Sequence, residues 1–145
     1  MLIEKFKGFK AELALADTFD KIKFLEAKAA AAAEFARVND IGKKEQDEWG
    51  IFRVEITQRK GKWLEDNFPS KKHSSRTLRD EGISFDESAD ARLVSDKKDL
   101  VDEVIQELKE SKSKIVTPNA VITGVRKKKK EEENKKKQEQ REKNN

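Results

Sequence analysis

The sequence predicts an all-α protein: a long N-terminal helical hairpin, then a small helix-turn-helix-like helical domain, then a charged tail that is helical or disordered. Three observations carry that expectation. The 145 residues include only two prolines and six glycines, too few turn formers for a strand-rich chain. Apolar residues recur three and four apart along most of the chain, the period of a helix with one buried face. Alanine, the strongest helix former, fills positions 29–33 without a break. Hydrophobic residues make up 34% and charged residues 43%, against roughly 45–50% and 25% in ordinary globular chains. The core must therefore be thin and spread along the helices.

Taken in order, Leu2, Phe6, Phe9 and Leu13 share one helical face, and Lys5, Lys7 and Lys10 lie off it. That face suits a core or a partner helix. Gly8, Glu4 and Glu12 weigh against a helix lying on a membrane surface. Asp17-Thr18 is a helix N-cap signal. From Phe19 to Val38 there is no proline or glycine, and Phe19, Ile22, Leu25, Ala29, Ala32 and Ala36 mark a continuous face. Asn39-Asp40-Ile41-Gly42 reads as a helix stop. A second long helix runs from about Lys43 to Asn67, with Trp49, Phe52, Ile56 and Trp63 on one stripe. Large aromatics facing small alanines interdigitate. Residues 19–67 are thus expected to form an antiparallel hairpin or two arms of a coiled coil. The four stripe residues serve helix packing or a partner contact, and residues 1–68 form an arm suited to homodimerisation.

Phe68-Pro69-Ser70 breaks the helix, and residues 69–74 form a polar, basic linker. His73, the sole histidine, has no metal-ligand set in a chain without cysteine. Residues 75–125 form the second unit. A short helix carries Leu78. Gly82 suits the positive φ of a helix end, and Ile83 is an apolar residue inside the turn. Ser84 and Glu87 have the spacing of a capping box. Phe85, Ala89 and Leu93 line the helix that follows. Helix, glycine turn, buried aliphatic and capped second helix is the order of a DNA-binding helix-turn-helix. Its second helix carries Asp86, Glu87 and Asp90, with Arg92 as its one base, and carboxylates are repelled by phosphates. A helical hairpin that touches protein or nothing is the competing expectation.

Ser95 is read as the cap of the next helix, whose core face is Leu100, Val101, Val104, Ile105 and Leu108. Lys112-Ser-Lys114 is a loop. Thr117-Pro118 opens the last helix, which Ala120, Val121 and Val125 dock. Residues 126–145 are a low-complexity tail without an apolar side chain. It holds ten basic and five acidic residues, whereas the preceding 125 residues carry a net charge of −1. A basic tail on a neutral body is a common footprint of a polyanion partner, and equally of a solvated tail. Glu131, Glu132 and Glu133 each precede a lysine by four residues, which supports a lone helix by about 0.2–0.5 kcal/mol per pair.

Two short motifs give the chain a resemblance. Arg59, Gly61 and Leu64 fit an Arg-x-Gly-x-x-Leu helix end. Leu78, Asp80, Gly82, Ile83 and Ser84 fit a Leu-x-Asp-x-Gly-Ile-Ser helix-turn-helix, and Thr117 opens a closing helix in the same order. Over roughly residues 19–125 the chain resembles small helical proteins of bacteriophages and integrative elements, whose last part looks like the DNA-binding segment of ParB- and KorB-type partition proteins. The resemblance implies the fold and a DNA contact. It adds little mechanism, and Asp86, Glu87 and Asp90 stand where the similar helix usually offers Gln, Ser and Arg.

The sequence also limits the chemistry. Without cysteine there are no disulfides, thiolate metal sites or cysteine nucleophiles. There is no glycine-rich phosphate loop, paired-histidine metal motif or nucleophile elbow. No secretory signal pattern opens the chain, and no stretch approaches the roughly 20 apolar residues of a membrane span. The expectation is a cytoplasmic, non-enzymatic protein of a bacterial host cell, without cofactor, that contacts duplex DNA. Lys71, Lys72, Arg76, Arg79, Ser84 and Arg92 would make the contact from the helix-turn-helix. Arg126, Lys127, Lys128, Lys129 and Lys130 would add affinity from the tail. The alternative is a helical protein-interaction module or an inhibitor of a host protein, with no sequence-specific DNA binding.

Overall fold

A computed structural model describes residues 2–69 and 82–144. The helices are α1 (Leu2–Ala14), α2 (Phe19–Val38), α3 (Lys43–Asn67), α4 (Phe85–Asp96), α5 (Lys98–Glu110) and α6 (Pro118–Lys143), and the described residues contain no strand. None of these helices is long and apolar enough to cross a membrane. The first helix of the expected helix-turn-helix lies outside the described residues, with Leu78 and Asp80.

Local chemistry sets the helix starts. The Thr18 hydroxyl accepts the Lys21 N–H at 3.2 Å and opens α2. The Thr117 hydroxyl accepts the Ala120 N–H at 3.1 Å, with Pro118 in the first turn of α6. Such caps contribute about 1 kcal/mol each. Helix α2 ends at the stop that its sequence marks, with Asn39 as the C-cap. Asp40, not Gly42, takes the left-handed conformation, at φ 53°. The Ile41 N–H then reaches the Ala36 carbonyl at 3.0 Å and the Asp40 N–H the Arg37 carbonyl at 3.3 Å, the paired bonds of a Schellman end. Gly42 instead precedes α3 as its N-cap.

Helix α3 is the spine. Its Trp49, Phe52 and Ile56 are buried against Ile22, Leu25, Ala29 and Ala36 of α2, which runs antiparallel to it. Phe9 of α1 closes this layer, edge-on to Trp49 at 5.6 Å and stacked on Phe52 at 5.9 Å. Trp63 is half-buried between Phe19 and Phe68, and its indole N–H donates to the Asp17 carbonyl at 3.3 Å. A second cluster joins Val54 of α3 to Val94, Val101, Val104, Val116, Val121 and Val125. A third joins Leu64 of α3 to Ile83 and Ala91. Helix α3 thus contributes side chains to all three clusters.

Two glycines make this possible. A Cβ on Gly50 would lie 1.7 Å from the Val116 carbonyl oxygen, and one on Gly61 2.1 Å from the Ala91 carbonyl oxygen. Val116 and α4 thus meet α3 backbone to backbone. Asp47 fixes the first crossing: its buried carboxylate accepts the Val116 N–H at 2.9 Å and the Lys43 ammonium at 2.6 Å. The Gly61 crossing corrects the expected start of α5. Ser95 is not its cap but the last turn of α4, packed over Gly61, and α5 begins after Lys97 without a side-chain cap.

Candidate nucleic-acid interface

Helix α4 is the helix that the sequence reads as the second of a helix-turn-helix. Gly82 has φ 77° and Ile83 is buried, so the chain turns into α4 over an apolar plug. Ser84 caps the helix, its hydroxyl accepting the Glu87 N–H at 3.1 Å. The other half of the expected capping box is diverted. The Glu87 carboxylate points into the body and pairs with Lys23 of α2 at 2.7 Å and Lys60 of α3 at 3.1 Å. Lys60 is buried and also holds Glu26 at 2.7 Å. Burial alone would raise the Glu87 carboxyl. The Lys23 hydrogen bond and the nearby Lys60 charge outweigh it and hold the group below the ordinary glutamate range. Lys23 is raised in turn, chiefly by that hydrogen bond.

The remaining charges of α4 are placed as follows. Arg92 is engaged within the chain. It donates to the Ser88 hydroxyl at 3.1 Å, to Glu65 at 2.8 Å and to the Phe68 carbonyl, tying α4 to the end of α3. Asp90 pairs with Arg126 of α6. Asp86 and Asp96 are exposed. The outward side of α4 is thus acidic, and its one arginine is committed to the fold. Lys71, Lys72, Arg76 and Arg79 lie outside the described residues.

Helix α6 gathers the remaining basic residues. Val121, Ile122 and Val125 bury its first half, and Lys128 fastens the next turn to Glu107 at 2.6 Å and Glu103 at 3.7 Å. The Glu107 hydrogen bond raises Lys128. From Lys129 the helix continues to Lys143 with every side chain exposed. At 100° per residue, Arg126, Lys127, Lys130, Asn134, Lys137, Gln138 and Arg141 fall within about 120° of the circumference, on the side away from the body. No carboxylate of α6 itself lies in that sector, because its glutamates fall on the other sides, and Asp90 of α4 reaches only Arg126, at the base of the stripe. Lys129, Lys135 and Lys136 are interleaved with those glutamates. Lys127, Lys130, Lys137 and Arg141 form no ion pair among the described residues. The stripe runs about 22 Å from Arg126 to Arg141.

Sequence reasoning pointed to the block Arg126–Lys130 and left out Lys137 and Arg141. The signal was the spacing of Arg126, Lys130, Asn134, Lys137 and Arg141, which keeps to one helical face. The chain matches no protein-family model, no curated protein and no solved structure.

Proposed function

We propose that the protein binds duplex DNA through the outer face of α6, with the helical body as the mount that holds this helix. The observation that carries the reading is the carboxylate-free basic stripe on a helix that continues beyond the body. A major groove about 12 Å wide accepts one α-helix. The deep, narrow major groove of duplex RNA does not. Lysines and arginines along the stripe meet phosphates and release counterions. Asn134 and Gln138, on the same face, are residue types that pair with adenine edges. This reading keeps the duplex-DNA partner drawn from the sequence and moves the main contact from α4 to α6. It is a binding role rather than catalysis, and a cytoplasmic one in a bacterial cell.

The test is fluorescence anisotropy on a short random duplex across a salt series. It compares the full chain with one ending at Lys129, which keeps the Lys128 contacts. The full chain should bind at low salt and weaken steeply as salt rises, and the shortened chain should lose at least about tenfold in affinity. Equal binding by both chains, or none by the full chain, would refute the reading.

A further inference from the structure

Helix α2 has two apolar faces, and the fold uses one. Opposite the side packed on α3, Phe24, Ala27, Ala31, Phe35 and Val38 recur at spacings of 3, 4, 4 and 3, and all five are exposed. Phe24 is 67% exposed, and Phe35 and Val38 are each 65% exposed. Single exposed apolar residues are ordinary on a protein surface, but a row of them along one helix face marks an interaction site. Helix α1 lies along one edge of α2, where Lys28 pairs with Glu12 at 3.0 Å and sets its ammonium 5.3 Å over the Phe24 ring, and Phe24, Phe35 and Val38 stay two-thirds exposed.

We propose that this face is the interface of a symmetric homodimer in which α2 pairs antiparallel with α2 of a second copy, across a two-fold axis at Ala31. The register follows from side-chain size. About Ala31, position 24 meets 38, position 27 meets 35, and Ala31 meets itself. Each Phe35 lies over the small Ala27 of the other copy, each Phe24 beside a Val38, and the alanines at the axis let the backbones approach. A parallel pair would set Phe24 on Phe24 and Phe35 on Phe35 and leave the alanine levels hollow. The helix dipoles agree: an antiparallel pair opposes them, whereas a parallel pair sets like end on like end. Arg37, in the last turn, is already held by Glu34 of its own helix and adds no charge to the contact.

The area sets the size class of the contact. Two-thirds of a phenylalanine of about 200 Å² leaves roughly 130 Å² per ring to cover. With Val38 and the alanines that is roughly 350 Å² per copy. The stems of Lys23, Lys28 and Glu34 bring the total for both copies to about 1,000 Å², just under the standard range of a specific interface. An interface of this size is expected to form a weak, concentration-dependent dimer.

The test uses sedimentation equilibrium of the full chain from micromolar to millimolar concentration. The mass should rise from 16.7 kDa to twice that value. Phe35→Glu, an exposed change whose helicity is checked by circular dichroism, should weaken association at least about tenfold. A chain with no cysteine accepts a unique spin label at Lys21→Cys, on the flank of the face. Labels about 30 Å apart support the antiparallel register, whereas labels within about 15 Å, as in a parallel pair, overturn it. A monomer at every concentration, or a dimer indifferent to Phe35→Glu, overturns the proposal outright.

Discussion

Replacing Lys130, Lys137 and Arg141 together by glutamine should remove most of the salt dependence of DNA binding. The stripe offers five cations, and Arg126 is already paired with Asp90. Four remain for phosphates, and counterion release gives about 0.9 in the log–log slope per phosphate neutralised, so the full chain should show a slope of about −3.6. The triple variant keeps Lys127 and should fall to about −0.9. Net charge alone would also drop, so the control is Lys129, Lys135 and Lys136 to glutamine. These residues are equally exposed on the same helix but sit among the glutamates. The control should keep a slope of about −3.6. Titrations of the three proteins by anisotropy, with helicity matched by circular dichroism, read the difference directly. Equal slopes for the two variants would mean that the tail acts only as diffuse charge, and the stripe reasoning would fail.

Two further outcomes concern the mount. Asp47→Ala strips the buried Val116 N–H and Lys43 of their acceptor and should cost about 2–4 kcal/mol in urea unfolding, with Asp47→Asn recovering part of it. Lys60→Met removes a buried ammonium from two carboxylates. Lys23 still holds Glu87, so the loss should be about 2–3 kcal/mol, less than the 3–5 for a fully orphaned partner. Because the folded Glu87 value is depressed, its stabilisation is present above the ordinary 4.5 and is lost as pH falls through the lower folded value. The difference between Lys60→Met and the parent should therefore shrink in acid, as unfolding curves on both sides of that value would register.

Sequence and structure agree where the signals are local. The threonine caps at Thr18 and Thr117, the alanine run and the Thr117-Pro118 start are each decided by neighbours within one turn. They mark α2 and the start of α6 without reference to tertiary packing. The sequence reading was less complete where a residue's partner lies far along the chain. Glu87 has capping-box spacing, but Lys23, 64 residues away, captures its carboxylate. Ser95 has the chemistry of a cap, yet Gly61 lets α4 run past it. The second face of α2 was visible as spacing from Phe24 to Val38. Reading one apolar face per helix hid it, because alanines at 27 and 31 count as helix formers before they count as a surface.

The two proposals meet in one measurable quantity. A dimer through α2 carries two copies of α6, so a duplex held by both helices neutralises about twice as many phosphates as one held by a single helix. The slope would then approach about −7 rather than −3.6. Linking the two contacts would also raise the apparent affinity by far more than a factor of two, because the second helix binds at high effective concentration. Phe35→Glu lies on α2 and removes no basic residue. If both helices grip one duplex, this change should halve the slope and weaken binding while leaving the stripe intact. If slope and affinity are unchanged in a variant that sedimentation shows to be monomeric, each α6 acts alone. Dimerisation would then serve to bring separate duplexes together, and a dimer-dependent bridging assay with two differently labelled duplexes would report it.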